Sequence, residues 1–294
     1  MIFLVLSILS SASIYVIFKL VDRFKVFTLS AIVVNYLAAC LAGFFLSNRS
    51  HFSFAIFQES WFPISVIIGI MFIVMFYLIA RSTQKAGVAV TTVAVKMSVV
   101  FPIAFSIWYD VTDNLSLLKL SGIFLALIAV FLTVYRKSSA KFDARIILLP
   151  AVIFLGMGVV DSFVKFAQSA YVSNEIASVF SATVFAVSLF AGIGVLFFNA
   201  KASKGLLSIK TWILGVALGL VNFGSIYFLL LALNHVNIKS GVQAMGSVIF
   251  GINNIGIVAL SVVVGFLIFG ERPTRVNWLG IALSIFAIFI LTIS

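Results

Sequence analysis

The sequence predicts an all-helical integral membrane protein, with ten transmembrane helices in two inverted five-helix repeats. Three observations carry that expectation. The 294 residues are 63% hydrophobic and only 9% charged, with a mean hydropathy of +1.28, which leaves too little polar surface for a water-soluble domain. The apolar residues fall into long runs cut by short polar interruptions. The second half of the chain also repeats the pattern of the first.

The runs occupy residues 2–20, 26–47, 61–80, 86–108, 115–135, 146–167, 175–198, 211–233, 240–269 and 276–293. Each is long enough as a helix to cross a hydrocarbon core of ~30 Å. The first, Ile2 to Leu20, has no basic residue before it and no small-residue cleavage site after it, and reads as a retained helix. The ninth is longer than one perpendicular crossing needs and contains GINNIG, Gly251 to Gly256. Two amides between glycines suit a broken helix whose freed backbone groups line a cavity. They equally suit a tilted, continuous helix whose Asn253 and Asn254 bond neighbouring helices.

Segments five and ten align without a gap at an offset of 158, which places Gly122 on Gly280, Ala129 on Ala287, Phe131 on Phe289 and Asp113 on Glu271. Segments one and six align at 146, two and seven at 151 with Gly43 on Gly194, and three and eight at 150 with Gly69 on Gly219 and Tyr77 on Tyr227. The repeated units are residues 1–137 and 145–294. Because five is odd, the second unit enters the membrane from the opposite side. Inverted repeats of this kind build many secondary transporters, with the substrate site near the midplane.

A formal charge of +11 could point to nucleic acid, but the basic residues occur singly or in short groups between apolar runs, as topology signals do. Of the 19 Lys and Arg residues, fourteen fall in the odd-numbered loops and four on the opposite face. The charge rule therefore puts the odd loops in the cytoplasm and both termini outside. Cys40 is the single cysteine, so neither a disulfide framework nor a Cys-rich metal site is expected.

The candidate site starts at AGVAVTTVAVKMSVVFPI, Ala86 to Ile103, where Lys96 is the one charge in an apolar run. In a single helix over 86–108 it would stand roughly 15 Å from either interface. An ammonium there costs at least ~2.5–3.5 kcal/mol, so it must face a partner or a polar cavity. Lys96 either bonds a carboxylate or carbonyls inside the bundle, or meets the ligand directly. With Thr92 one turn before it, it suits a carboxylate or phosphate on the substrate, or a coupling anion. The equivalent position in the second repeat lies near Phe250, an inequality that fits an asymmetric organic substrate.

Gln243, Asn222, Gln84, Asn35 and Tyr36 are further candidate cavity groups, as are Tyr15, Tyr77 and Tyr227. Asp161 precedes Lys165 by one helical turn, the favourable order for an internal pair. Alternatively Asp161 pairs with Lys96 or takes up a proton. Glu175 and Glu271 sit at segment ends and read as solvated or structural carboxylates. His51 and His235 have no metal-ligand spacing, and no GxxxxGK[ST] is present, so neither an integral-membrane enzyme nor a chain that itself uses ATP is favoured. No cofactor is expected.

The two five-helix units, the run after ARSTQK that carries Lys96, and the segment ending FGERPTRVNWLGIALSIFAIFIL resemble the EamA branch of the drug/metabolite transporter superfamily. Gly270, Glu271 and Gly280 match that family's ending of helix nine and start of helix ten, and Asp113 with Gly122 is the weaker counterpart in the first repeat. The resemblance covers nearly the whole chain and speaks to fold rather than substrate. It implies a permease in the inner (plasma) membrane that moves a small metabolite, often outward, by alternating access through a central cavity, with proton or ion coupling as an option. An amphipathic or lipid-linked substrate is the alternative. It also implies both termini in the cytoplasm, against the charge count.

Overall fold

The computed structural model describes residues 2–46, 54–109, 116–134, 144–171, 176–240 and 245–293. Among them helices are the only regular elements. In chain order these are α1 (Ile2–Arg23), α2 (Thr28–Leu46), α3 (Phe62–Lys85), α4 (Val88–Met97), α5 (Val100–Tyr109), α6 (Leu117–Val134), α7 (Ala144–Ala170), α8 (Ala177–Phe197), α9 (Ala200–Gly205), α10 (Ile209–Ser240), α11 (Met245–Leu267) and α12 (Arg275–Ile293), with a 3-10 turn at Phe54–Gln58. Five stretches are long and apolar enough to cross a bilayer: Ile2–Arg23, Thr28–Leu46, Phe62–Lys85, Val179–Phe197 and Ile209–Leu229. Shorter apolar helical stretches run over Val88–Ala104, Leu117–Thr133, Leu148–Val164, Ile252–Leu267 and Arg275–Leu291. The chain is a multi-pass helical membrane protein.

One expectation about continuity is corrected and one open alternative is narrowed. Helix α11 is continuous through Gly251 to Gly256, in favour of the unbroken alternative, and Ser240 belongs to the end of α10. The break lies in segment four, where Ser98 and Val99 interrupt the helix between α4 and α5. Pro102 supplies the reason. It has no N–H to give the Ser98 carbonyl, and its ring crowds the carbonyl four residues earlier. That carbonyl accepts instead from the Phe101 N–H at 2.9 Å, a tighter three-residue closure.

The helices sort into two compact units. One comprises Met1–Val16, Arg81–Gly158 and Gly224–Ser294. Its broadest helix pair is α6 with α12, and α11 packs on both α12 and α4. A Cβ added to Gly122 would come within 2.7 Å of Leu291, and one added to Gly280 would collide with Thr133. Position rises along α6 as it falls along α12, so the two helices are antiparallel. Both matched pairs, Gly122 with Gly280 and Thr133 with Leu291, are 158 residues apart, so the same contact is made twice with the roles exchanged. Asn277 fastens this pair at one end. Its Nδ2 donates to the carbonyls of Leu132 at 3.2 Å and Thr133 at 2.8 Å, while its Oδ1 accepts from the Thr274 N–H at 3.0 Å. With Thr274 Oγ1 accepting from the Asn277 N–H at 3.3 Å, the start of α12 has a reciprocal cap.

The other unit comprises Ile17–Ala80 and Val159–Phe223, and its broadest pair is α2 with α8. Small residues bring its backbones together. A Cβ on Gly69 would lie 2.9 Å from the Val184 carbonyl and 2.7 Å from the Val187 side chain. On Gly219 it would lie 2.5 Å from the Asn35 carbonyl and 2.6 Å from the Ala38 side chain. Both glycines thus sit on a carbonyl and on the side chain three residues later, and Ser188 Oγ donates to the Gly69 carbonyl at 2.9 Å. Close approach of this kind is how membrane helices gain dispersion contact without a hydrophobic driving force.

Candidate functional site

In the first unit the site is built on α4. Gly87, at φ +108°, separates α4 from α3, a backbone conformation that side chains disfavour. No side chain of its own caps the helix start. The first N–H groups of the helix are met by a distant carboxylate: Val88 donates to Glu271 Oε1 at 2.8 Å and Oε2 at 3.0 Å, and Ala89 donates to Oε2 at 3.4 Å. A negative charge is favourable at this positive end of the helix dipole. Glu271 is therefore a structural carboxylate with a defined task.

Along α4, Thr91 and Thr92 are both fully buried. Thr92 Oγ1 donates to the Val88 carbonyl at 2.8 Å, and Thr91 Oγ1 shares a 2.7 Å hydrogen bond with Ser82 Oγ. Lys96 is half-buried in the last turn of α4, one residue before the helix ends at the break. That is the negative end of the half-helix dipole, where a cation is stabilised. Beyond the break, Phe101 packs edge-on to Phe154 with ring centroids 5.1 Å apart and lies against Gly158 of α7. The ionisable group thus stands at the junction of two ten-residue helices.

Asn253 belongs to the same unit and is 3% exposed, and its Oδ1 has no hydrogen-bond partner among the described residues. Asn254 beside it is half-buried. The bonds to neighbouring helices expected for these amides are thus not made by the Asn253 oxygen.

In the second unit three candidates come together. Asn222 Nδ2 of α10 donates to Asn35 Oδ1 of α2 at 3.2 Å, deep inside the helices. Asn35 Nδ2 and the Tyr36 hydroxyl have no hydrogen-bond partner among the described residues. The Tyr36 ring lies against Phe76 and Phe185, at 5.6 and 6.2 Å between centroids. Asp161 is half-buried and is counted with this unit, while Lys96 is counted with the other. The Lys165 side chain, Gln243, Glu175 and Asp113 lie outside the described residues. Among the described residues no cluster of His, Cys, Asp or Glu could hold a metal.

The second unit also carries an open apolar groove of about 730 Å³, walled by α2, α3 and α8 through residues such as Cys40, Phe44, Phe62, Ile70 and Phe190. Thr183 reaches it too, but its hydroxyl is donated to the Val179 carbonyl at 2.8 Å. None of the predicted site residues lines this groove.

Sequence reasoning missed the helix break, the Glu271 cap and the Thr274–Asn277 box. Pro102 and the T-x-x-N spacing were available signals for the first and third. The cap joins residues 183 positions apart, and nothing local announces it.

No family model matches the chain. It is similar to an uncharacterized protein of Haemophilus influenzae, with 27% identity over 296 residues that cover 98% of this chain and 96% of that protein. The likeness therefore runs end to end.

Proposed function

We propose that this chain is a secondary transporter of a small organic metabolite, working by alternating access in the manner of the drug/metabolite transporter superfamily. The observation that carries the reading is the position of Lys96 in the last turn of α4, one residue before the helix ends. An ionisable group beside a discontinuous membrane helix is costly, and such groups mark substrate and ion pathways. Counting α4 and α5 as the halves of one crossing gives ten spans. The exchanged contacts of Gly122 with Leu291 and Gly280 with Thr133 support two inverted repeats, because a two-fold axis makes each contact twice. The parallel seating of Gly69 and Gly219 supports the same arrangement.

In this reading Lys96 and Thr92 anchor a carboxylate or phosphate of the substrate, Asn253 and Asn254 supply further polar contacts, and export across the inner membrane is the direction. The Asn35–Asn222 pair with Tyr36 is a second polar element of the pathway. The apolar groove favours one alternative, an amphipathic substrate whose hydrocarbon part is carried there.

A thermal-shift screen of the purified protein tests the reading, because a ligand that binds the folded state raises its stability with occupancy. Organic acids, phosphorylated metabolites, amino acids and hydrophobic amines are compared on wild type, Lys96→Met and Lys96→Arg. Stabilisation by an anionic class, lost in Lys96→Met and partly kept in Lys96→Arg, is the expected result. Stabilisation only by long-chain amphiphiles, unchanged in both variants, would shift the assignment to the amphipathic alternative. No stabilisation by any class, together with no solute flux in proteoliposomes, would overturn the transporter reading.

A further inference from the structure

Helix α4 is set off at both ends from its sequence neighbours, by the turn at Gly87 and by the two-residue interruption at Ser98 and Val99. Gly87 turns the chain at its start, after Ala86 and Gly87 close α3 by donating to the Ser82 carbonyl at 2.6 and 3.2 Å. Ser98 and Val99 interrupt the ladder at its end. What holds the helix start is the Glu271 carboxylate, reaching from the turn between α11 and α12 to two N–H groups that the local N-cap, Gly87, has no side chain to meet.

That carboxylate is tightly seated. The Glu271 N–H donates to the Gly265 carbonyl at 2.9 Å, and Gly270 at φ +64° makes the turn that brings it there. A Cβ on Gly87 would come within 2.9 Å of Glu271 Oε2, and one on Gly265 within 2.8 Å. Both glycines leave the space the acid occupies. Val88 and Lys96 are eight residues apart on one helix, roughly 12 Å along its axis. A short helix fixed at one end transmits a shift at that end to the other.

We propose that Glu271 is the positioning residue for Lys96: the second half of the chain sets, through this removable cap, where the first half's lysine stands. Release of the cap frees α4 to shift about its junction with α5, and Lys96 moves with it. The inference rests on the transporter reading only for what Lys96 does, and not for what holds it.

The test places a reporter thiol at Ser98, a fully buried residue at the break two positions after Lys96, in a Cys40→Ser background. Its reaction rate with a small water-soluble maleimide is then measured. Loss of a helix cap is expected to raise the rate about five-fold in Glu271→Ala. Asn277→Ala, which loosens the same unit at the α6–α12 contact, is expected to leave it near the parent value. If Glu271→Ala does not fold, Gly265→Ala displaces the carboxylate by bulk and is expected to raise the rate likewise. A rate in the folded cap variants no higher than in Asn277→Ala would overturn the proposal. A raised rate in a protein that transports nothing would leave the positioning role standing and remove the transporter reading. Lys96-dependent ligand stabilisation with an unchanged thiol rate would do the reverse.

Discussion

Gly280 of α12 faces Thr133 of α6 so closely that any added Cβ would strike it. Gly194 of α8 faces nothing within 4 Å. The two glycines share a membrane helix environment and differ in what a methyl group would meet.

Gly280→Ala is therefore expected to destabilise the protein by ~1–3 kcal/mol through overpacking. Gly194→Ala should be neutral or stabilising by up to ~1 kcal/mol, since alanine is the better helix former. Thermal unfolding of both variants in one detergent checks this. Equal costs would mean that the α6–α12 contact is looser than described.

The amide pair in the second unit gives a coupled prediction. Asn222→Ala leaves the buried Asn35 Oδ1 without this donor and should cost ~1–3 kcal/mol. Asn35→Ala and the double variant complete a cycle, with an expected coupling of ~0.6 kcal/mol and at most ~1.7 kcal/mol, the average and upper value for hydrogen bonds between membrane helices. Additive costs would show that the 3.2 Å contact carries no energy of its own.

Pro102→Ala supplies a backbone N–H in helical register to the Ser98 carbonyl, which now accepts from Phe101. The expected outcome is a rise in thermal stability of up to ~1 kcal/mol from relieved ring crowding and the restored helical ladder. Any Lys96-dependent ligand response should weaken at the same time, because α4 and α5 would join. Increased stability with an unaltered ligand response would separate the break from binding.

Orientation is tested on α9. By the charge count Lys204 faces the cytoplasm. In a Cys40→Ser background, Lys204→Cys should resist an impermeant maleimide in intact cells and react in inverted vesicles. The opposite pattern would place the termini in the cytoplasm.

The sequence was most informative where hydropathy alone decides. Every one of the ten apolar runs contains helix, because a continuous apolar run of that length satisfies its backbone in hydrocarbon within itself only as a helix, whereas barrel strands are short and alternate. The glycines singled out at 122, 280, 69 and 219 all fall at close helix contacts. The break after Lys96 was written at Pro102, but a hydropathy reading counts proline's carbons and overlooks its missing N–H. At GINNIG the sequence left a broken and a continuous helix equally open: two glycines lower helix propensity by only ~1 kcal/mol each, a packed membrane helix absorbs that, and α11 is continuous there. Asn35 and Asn222 could each be nominated as polar groups in apolar runs. Their pairing across 187 residues, like the reach of Glu271 to Val88, exists only in the folded chain.

The seat around Glu271 also has a genetic meaning. An acid that fits only because Gly87 and Gly265 lack side chains cannot drift independently of them, and Gly270 supplies the turn that aims it. In homologous chains these four positions should be inherited together. A lineage that loses the acid should be free to acquire alanine or serine at 87 and 265, and a lineage that keeps it should not. The distant spacing of 87 from 265, 270 and 271 would then serve as a signature for finding relatives that overall identity is too low to reveal.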